Sequence, residues 1–446
     1  MSAAPVMPAG PDDSLVPLLR RVALRYLPLL FLCYVVSIID RVNVGFAKAQ
    51  MQQTLQFSDV VYGLGAGIFF VGYFLFEVPS NMLLARIGAR RWIARILILW
   101  GPAAAAMAFV ETTTQFYVLR FLLGVFEAGF FPGVVLLLTY WFPAERRTRY
   151  IALFMLGMPV AGIVISPMSA AILAGMEGLY GLSGWQWIFV VQGLPALLLG
   201  FVVLVWLDDK PATARWLTDD EKARLQRAVG PAAMPAPWRQ ELKLAFAQKG
   251  IWLPVATDFC LVAVAAIVGL WAPQFMQDIL QTDVRGITLP FGASFLVGMV
   301  AMVAIGALAD RGGRRENILV ALFVIGSVGY FGAAAAATAA PALAIGMMGI
   351  GIVCYLAAFP VFWGCVTPRL APAAAAAAIA LVNSLANLGG AVGPAVVGPV
   401  KQNLGLGPAV ATMGVFMALA ALFALALRRS PAAPSVPSVP SPTAVA

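Results

Sequence analysis

Residues 306–315 read GALADRGGRR, and residues 83–91 read LLARIGARR. Each stretch ends an apolar run and opens a basic loop. Arg86, Gly88 and Arg90 match Arg311, Gly313 and Arg315 at identical spacing, 225 residues apart in a chain of 446. An interval of about half the chain marks the same place in two copies of one unit. The match gains weight from its surroundings, six apolar runs on each side of a polar middle segment. That layout is what a parallel repeat about the membrane normal produces.

Working outward from the two loops, apolar runs fall at about 26–47, 60–84, 93–110, 116–140, 150–174 and 186–207, then at 251–274, 288–309, 317–337, 341–366, 374–399 and 408–427. The chain is 61% hydrophobic and 11% charged, with a mean hydropathy of +0.90. A soluble domain is nearer half apolar and a quarter charged, so the natural solvent of this chain is a bilayer. Each run has the roughly 20 residues a spanning helix needs. The expected fold is an all-α membrane protein of twelve transmembrane helices in two six-helix halves. Its expected divisions are a tail at 1–25, a first half at 26–207, a linker at 208–250, a second half at 251–428 and a Pro- and Ser-rich disordered tail at 429–446.

Orientation follows from the basic residues. With both termini cytoplasmic, 24 of the 29 Lys and Arg fall in the tails, the linker and the inner loops. Only Lys48, Arg285 and Lys401 fall in outer loops, and Arg41 and Arg120 lie inside spans. The expected location is the bacterial inner membrane, with multiple passes and both ends inside. The N-terminus, MSAAPVMPAGPDD, lacks the basic start and short apolar core of a cleaved signal.

Several classes of function are excluded. There is no histidine, and the four cysteines (Cys33, Cys260, Cys354 and Cys365) are scattered without a CxxC pair. Neither a metal cofactor nor a disulfide frame is expected. No GKS or GKT phosphate loop is present, which removes ATP-driven transport and leaves an enzyme little chemistry. Topology explains the Arg excess, so no nucleic-acid partner is expected.

The chain resembles the major facilitator superfamily. GALADRGGRR is similar to its loop signature G-x-L-A-D-R-x-G-R-R, although Ala85 stands in the first copy where the signature has Asp. RFLLGVFEAG (120–129) is similar to its fourth-span pattern. Within the superfamily, DRVNVGFA (40–47), GYFLFEVPSNMLLARIGARRWIARI (72–96) and AIALVNSLANLGGAVGPAVVG (378–398) resemble the anion:cation symporter family, especially its bacterial tartrate, phthalate and sugar-acid branch. The resemblance implies the major facilitator fold. It also implies that Arg41 and Asn43 bind an organic anion, and that acids at the Asp40 and Glu127 positions couple transport to protons.

Charges inside spans point the same way, because an ionised side chain at the bilayer centre needs a partner, a wet cavity or a task. Neighbours on a helix point about 100° apart, so Asp40 does not simply cover Arg41. Arg41 therefore seeks an acid elsewhere, either a substrate carboxylate or an acid on another helix. Asn43 lies near Asp40 on the same wall. Arg120 and Glu127 share one face of the fourth span, about 10 Å apart. Arg120 is read equally as a binding group and as a structural or proton-relay element. Glu127, within FEAGFFPG, is shielded from water and suited to loading and releasing a proton, with Asp40 as the second candidate. Glu77, beside Pro79, is read as a packing or gate residue. Asp258 is expected to snorkel to the inner surface and receives no role.

In the eleventh span Asn383 and Asn387 are one turn apart, either contacting substrate or joining helices, with Ser384 as a weaker extra. Trp271 and Trp363 are candidate cavity walls. Gly306, Asp310, Arg311 and Arg315 are candidate gate residues, pairing across the halves in one state and parting in the other. The expectation is a monomeric carrier importing a small carboxylate by proton symport, with the proton as coupling ion. The rival reading is a proton-coupled exporter of amphipathic compounds.

Overall fold

The computed structural model describes residues 15–230, 246, 250–312, 315–370 and 375–429. Among them are 12 helices long and apolar enough to cross a membrane: Leu15–Leu55, Asp59–Leu84, Ala89–Phe109, Thr113–Trp141, Arg149–Gly175, Gly184–Trp206, Trp252–Leu270, Val284–Ala309, Arg315–Ala336, Pro341–Arg369, Ala378–Leu404 and Leu406–Arg429. They are numbered below as spans 1 to 12.

Span 1 begins at Leu15, well before the apolar run predicted it. Arg20, Arg21 and Arg25 interrupt the hydropathy there, but Leu18, Leu19 and Val22 are buried on one side. The basic side docks the linker. Arg21 pairs with Glu221 at 2.5 Å, and the Arg25 guanidinium lies 4.5 Å from the Trp206 ring and 4.9 Å from the Trp216 ring. Tyr26 donates to Asp208 at 2.8 Å. The linker itself carries a helix, Asp219–Val229, started by a capping box in which the Thr218 side chain meets the Glu221 backbone and Glu221 reaches back. The Thr218 backbone N–H and Arg21 together hold the Glu221 carboxyl below its usual range. These contacts define a linker face; the opposite one is the distal face. The rest of the linker and the tail beyond Arg429 lie outside the described residues.

Span 4 is broken in the middle. Its first helix, Thr113–Glu127, ends two residues before Gly129, whose φ of 89° is left-handed, and a second helix runs Phe130–Trp141. The freed Ala128 carbonyl accepts from the Ser80 hydroxyl at 2.6 Å, and that hydroxyl accepts from Trp92 Nε1 at 2.9 Å. A side chain at residue 129 would also meet Ser80, since a Cβ would stand 2.3 Å from its oxygen. The break is a fixed elbow.

Within the first half, span 3 packs on span 6 and span 2 on span 4; within the second, span 9 packs on spans 10 and 12, and span 7 on span 11. The halves meet where span 2 lies along span 11 and span 5 along span 8. Small residues permit the approach: a Cβ on Gly63 would stand 2.6 Å from the Pro394 carbonyl, and one on Gly67 2.5 Å from that of Ala391.

Candidate functional site

Ser37 and Arg41 are one turn apart on span 1, so they present a hydroxyl and a guanidinium to the same place. That place is the Glu127 carboxylate, held at the elbow of span 4. Ser37 Oγ donates to Glu127 Oε1 at 2.7 Å, and Arg41 Nη2 donates to the same oxygen at 2.5 Å. Glu127 is buried, whereas the Arg41 side chain is 21% exposed. The Arg41 guanidinium also lies against two rings of span 2, 5.1 Å from Tyr73 and 5.4 Å from Phe69. Of the two partners foreseen for Arg41, this conformation supplies the acid of another helix.

Asp40 faces elsewhere. It accepts from Asn43 Nδ2 at 2.8 Å and from Trp100 Nε1 of span 3, and all three residues are buried. Asn43 therefore does not line an open wall in this conformation; its amide holds Asp40, while its own Oδ1 has no partner among the described residues. Arg120 does not touch Glu127. It is 1% exposed and, among the described residues, donates to the carbonyls of Gly65 and Ala66, at 3.3 and 3.4 Å, with the Phe69 ring 5.0 Å away. The 10 Å separation along one helix keeps the two apart, and the small residues of span 2 let the guanidinium meet backbone instead.

Glu77 joins the halves. Its carboxylate accepts from Asn383 at 3.1 Å and from Ser384 at 2.7 Å, both on span 11. Asn387, one turn on, faces the same carboxylate. The amide row thus meets an acid that the sequence placed in a packing role.

A second junction between the halves lies at the distal face. Lys48 and Lys401 were counted in loops, but both helices continue past their apolar runs and carry the two side chains inward. Lys48 is wholly buried, 2.7 Å from Asp59 and 3.7 Å from the Trp271 ring. Lys401 pairs with Asp278 at 2.7 Å and lies 4.0 Å from Asp59. Trp271 is thus a buried platform for a lysine, while Trp363 packs on Phe362.

The remaining expectations fare differently. Arg315 donates to the Gly364 carbonyl at 3.1 Å within the second half, Arg311 is exposed, and Gly306 has room for a Cβ, 3.9 Å from Pro360. The Asp310 side chain lies outside the described residues. Asp258 does not snorkel. It is 1% exposed, on a span against which spans 11 and 12 both pack. Ser37 and Trp100 were missed. The spacing of Ser37 to Arg41 was readable, but no sequence pattern links Trp100 to Asp40, sixty residues away.

Twelve spans in two halves around buried, partly shared charges define a membrane transporter. Residues 30–394 match the Major Facilitator Superfamily, and the chain belongs to that family. It is 40% identical to a putative tartrate transporter of Agrobacterium vitis, over 93% of this chain and 92% of that one. It is 36% identical to a quinolone resistance transporter of Acinetobacter baumannii, over 92% and 93%. Its fold is similar to that of the xylose transporter XylE from E. coli in a partially occluded inward-open conformation, with a TM-score of 0.70, 15% identity and coverage of 90% and 96%. The protein is a transporter, not an enzyme.

Proposed function

We propose that the protein imports a small carboxylate by proton symport, using Arg41 as the anion anchor and Glu127 as the coupling acid. The observation that carries this reading is the 2.5 Å contact between a partly exposed Arg41 and a buried Glu127. One guanidinium serves two possible acids. While Glu127 is ionised it holds Arg41; once a proton neutralises Glu127, the planar donors are free for a substrate carboxylate in two-point contact. Proton and anion then load together, and a neutralised site crosses the bilayer at lower cost than a charged one.

In this scheme Asp40, held by Trp100 and Asn43, is the second protonatable group, and Arg120 supplies positive field behind the site. Asn383, Asn387 and Ser384 change partner between Glu77 and substrate hydroxyls as the halves rock. Gly306, Asp310, Arg311 and Arg315 work as the inner gate, while the Lys48 and Lys401 junction closes the distal side. The 1–25 tail, the 208–250 linker and the 429–446 tail lie in the cytoplasm, and the carrier works as a monomer in the inner membrane. The similarity to a tartrate transporter supports the substrate class.

The test is the thermal stability of the purified protein in detergent against a panel of carboxylates at two pH values. A ligand that binds only the folded state raises stability by RT ln(1 + [L]/Kd). A rise with one group of acids, larger at low pH and lost in Arg41→Ala, is the expected result. The similarity to a quinolone resistance transporter favours a second reading, export of amphipathic compounds. Stabilisation by such compounds alone, with none by simple carboxylates, would replace the first reading with the second.

A further inference from the structure

Asp258 lies on span 7, six residues past Trp252 and hence about 9 Å into the span. It is 1% exposed, and its Oδ1 is among the buried atoms without a hydrogen-bond partner. Among the described residues no ion pair reaches it. The charged groups on the elements packed against span 7 are held elsewhere. Arg41 is on Glu127, and Asp40 is on Trp100 and Asn43. Lys48, Lys401 and Asp278 are joined at the distal face. Arg369 is on Glu316, and Arg428 and Arg429 are exposed at the linker face. A carboxylate left alone in such a place does not stay ionised.

The position is also notable. Span 7 meets span 11 closely, since a Cβ on Gly389 would stand 2.0 Å from the Phe259 carbonyl and 3.2 Å from the Ala263 amide. Spans 7 and 11 run in the same direction, so Asp258 lies at the depth of Ser384 and Asn387, the amide row that meets Glu77. Among the described residues it makes no hydrogen bond, so packing does not explain an acid there.

We propose that Asp258 is a proton-binding site of the second half, separate from Glu127 and Asp40, whose proton exchanges with water as the halves move. The use of that proton in transport rests on the symport reading; the proton's presence and exchange do not.

The experiment is infrared spectroscopy of the full-length protein at pH 7, in H2O and in D2O, with no substrate added. The carboxylic-acid C=O band of the wild type should lose one component in Asp258→Asn, and that component should shift in D2O. Asp40→Asn and Glu127→Gln, recorded alongside, test the symport site, and changes confined to them leave Asp258 without a proton. A band unchanged in Asp258→Asn overturns the proposal. So does a component lost in the variant but unshifted after long incubation in D2O, because that proton is walled in. Melting temperature gives a further check: Asp258→Asn and Asp258→Leu should melt no lower than wild type. A clear fall in both assigns the acid a structural bond and overturns the proposal.

Discussion

Arg41 and Glu127 meet through a single carboxylate oxygen, 2.5 Å from the guanidinium and shared with the Ser37 hydroxyl at 2.7 Å. The pair spans two helices of one half and sits at the elbow of span 4. Its asymmetry matters: the acid is sealed, while the cation keeps an open side. Removing the cation therefore strands a buried charge, which typically costs about 3–5 kcal/mol. Arg41→Ala should destabilise the protein by about that amount, and adding Glu127→Gln to it should recover part of the loss, because the stranded charge is then gone. Thermal melts of the two variants check this. Arg41→Lys should restore stability more than carboxylate binding, because an ammonium lacks the planar fork.

The Asp40 site makes a separate prediction. Trp100 and Asn43 are the two donors to Asp40. Trp100→Phe keeps most of the ring volume and removes one donor, leaving a buried acceptor short of a bond. The expected loss is about 1–3 kcal/mol. Combining it with Asp40→Asn should cost less than the sum of the two, since both touch one interaction. A double-mutant cycle on melting or denaturant unfolding reads the difference. Strict additivity would dissolve the pair.

Close packing of spans 2 and 4 predicts a steric effect. A Cβ on Gly124 would stand 2.0 Å from the Phe69 carbonyl and 2.8 Å from the Tyr73 amide, both backbone atoms. Phe69 and Tyr73 also carry the rings against Arg41. Gly124→Ala must therefore push the helices apart, with an overpacking cost of about 1–3 kcal/mol. Carboxylate-induced stabilisation should weaken with it, because the wall behind Arg41 moves.

The distal junction predicts a change of conformational population. Lys48 and Asp59 belong to the first half, Asp278 and Lys401 to the second, and they meet at 2.7 to 4.0 Å. Asp59→Asn leaves a wholly buried lysine without its carboxylate, which favours any arrangement that lets water reach it. Spin labels placed at the exposed Gln53 and Gln402 should report a broader, longer distance distribution in Asp59→Asn than in wild type.

How much of this was readable follows from the distance over which each feature acts. Spans are local averages over about 20 residues, so their number and the repeat at Arg86 and Arg311 were legible. Helix ends were less so, because Arg20 and Arg21 lower the hydropathy of a stretch that still buries Leu18 and Leu19. Lys48 and Lys401 were misplaced for the same reason. Charged candidates were legible one by one, since a bilayer makes each costly. Their partners were not: Glu127 with Ser37, Asp40 with Trp100 and Glu77 with Ser384 are set by helix packing between residues 60 to 307 apart. The broken middle of span 4 had a local sign in Gly129 and Pro132, but hydropathy reads through it.

Coupling predicts a specific failure in Glu127→Gln. A glutamine keeps the shape and can still accept from Ser37 and Arg41, but it neither holds Arg41 by charge nor carries a proton. In wild type, Glu127 competes with an incoming carboxylate for Arg41. Glu127→Gln removes the charge from that competition, so carboxylate stabilisation at neutral pH should be at least as large in the variant as in wild type. In proteoliposomes the variant should exchange labelled carboxylate across the membrane yet fail to accumulate it against a gradient when a pH difference is imposed. Accumulation equal to wild type would remove Glu127 from the coupling path and leave Asp40 to be tested in its place.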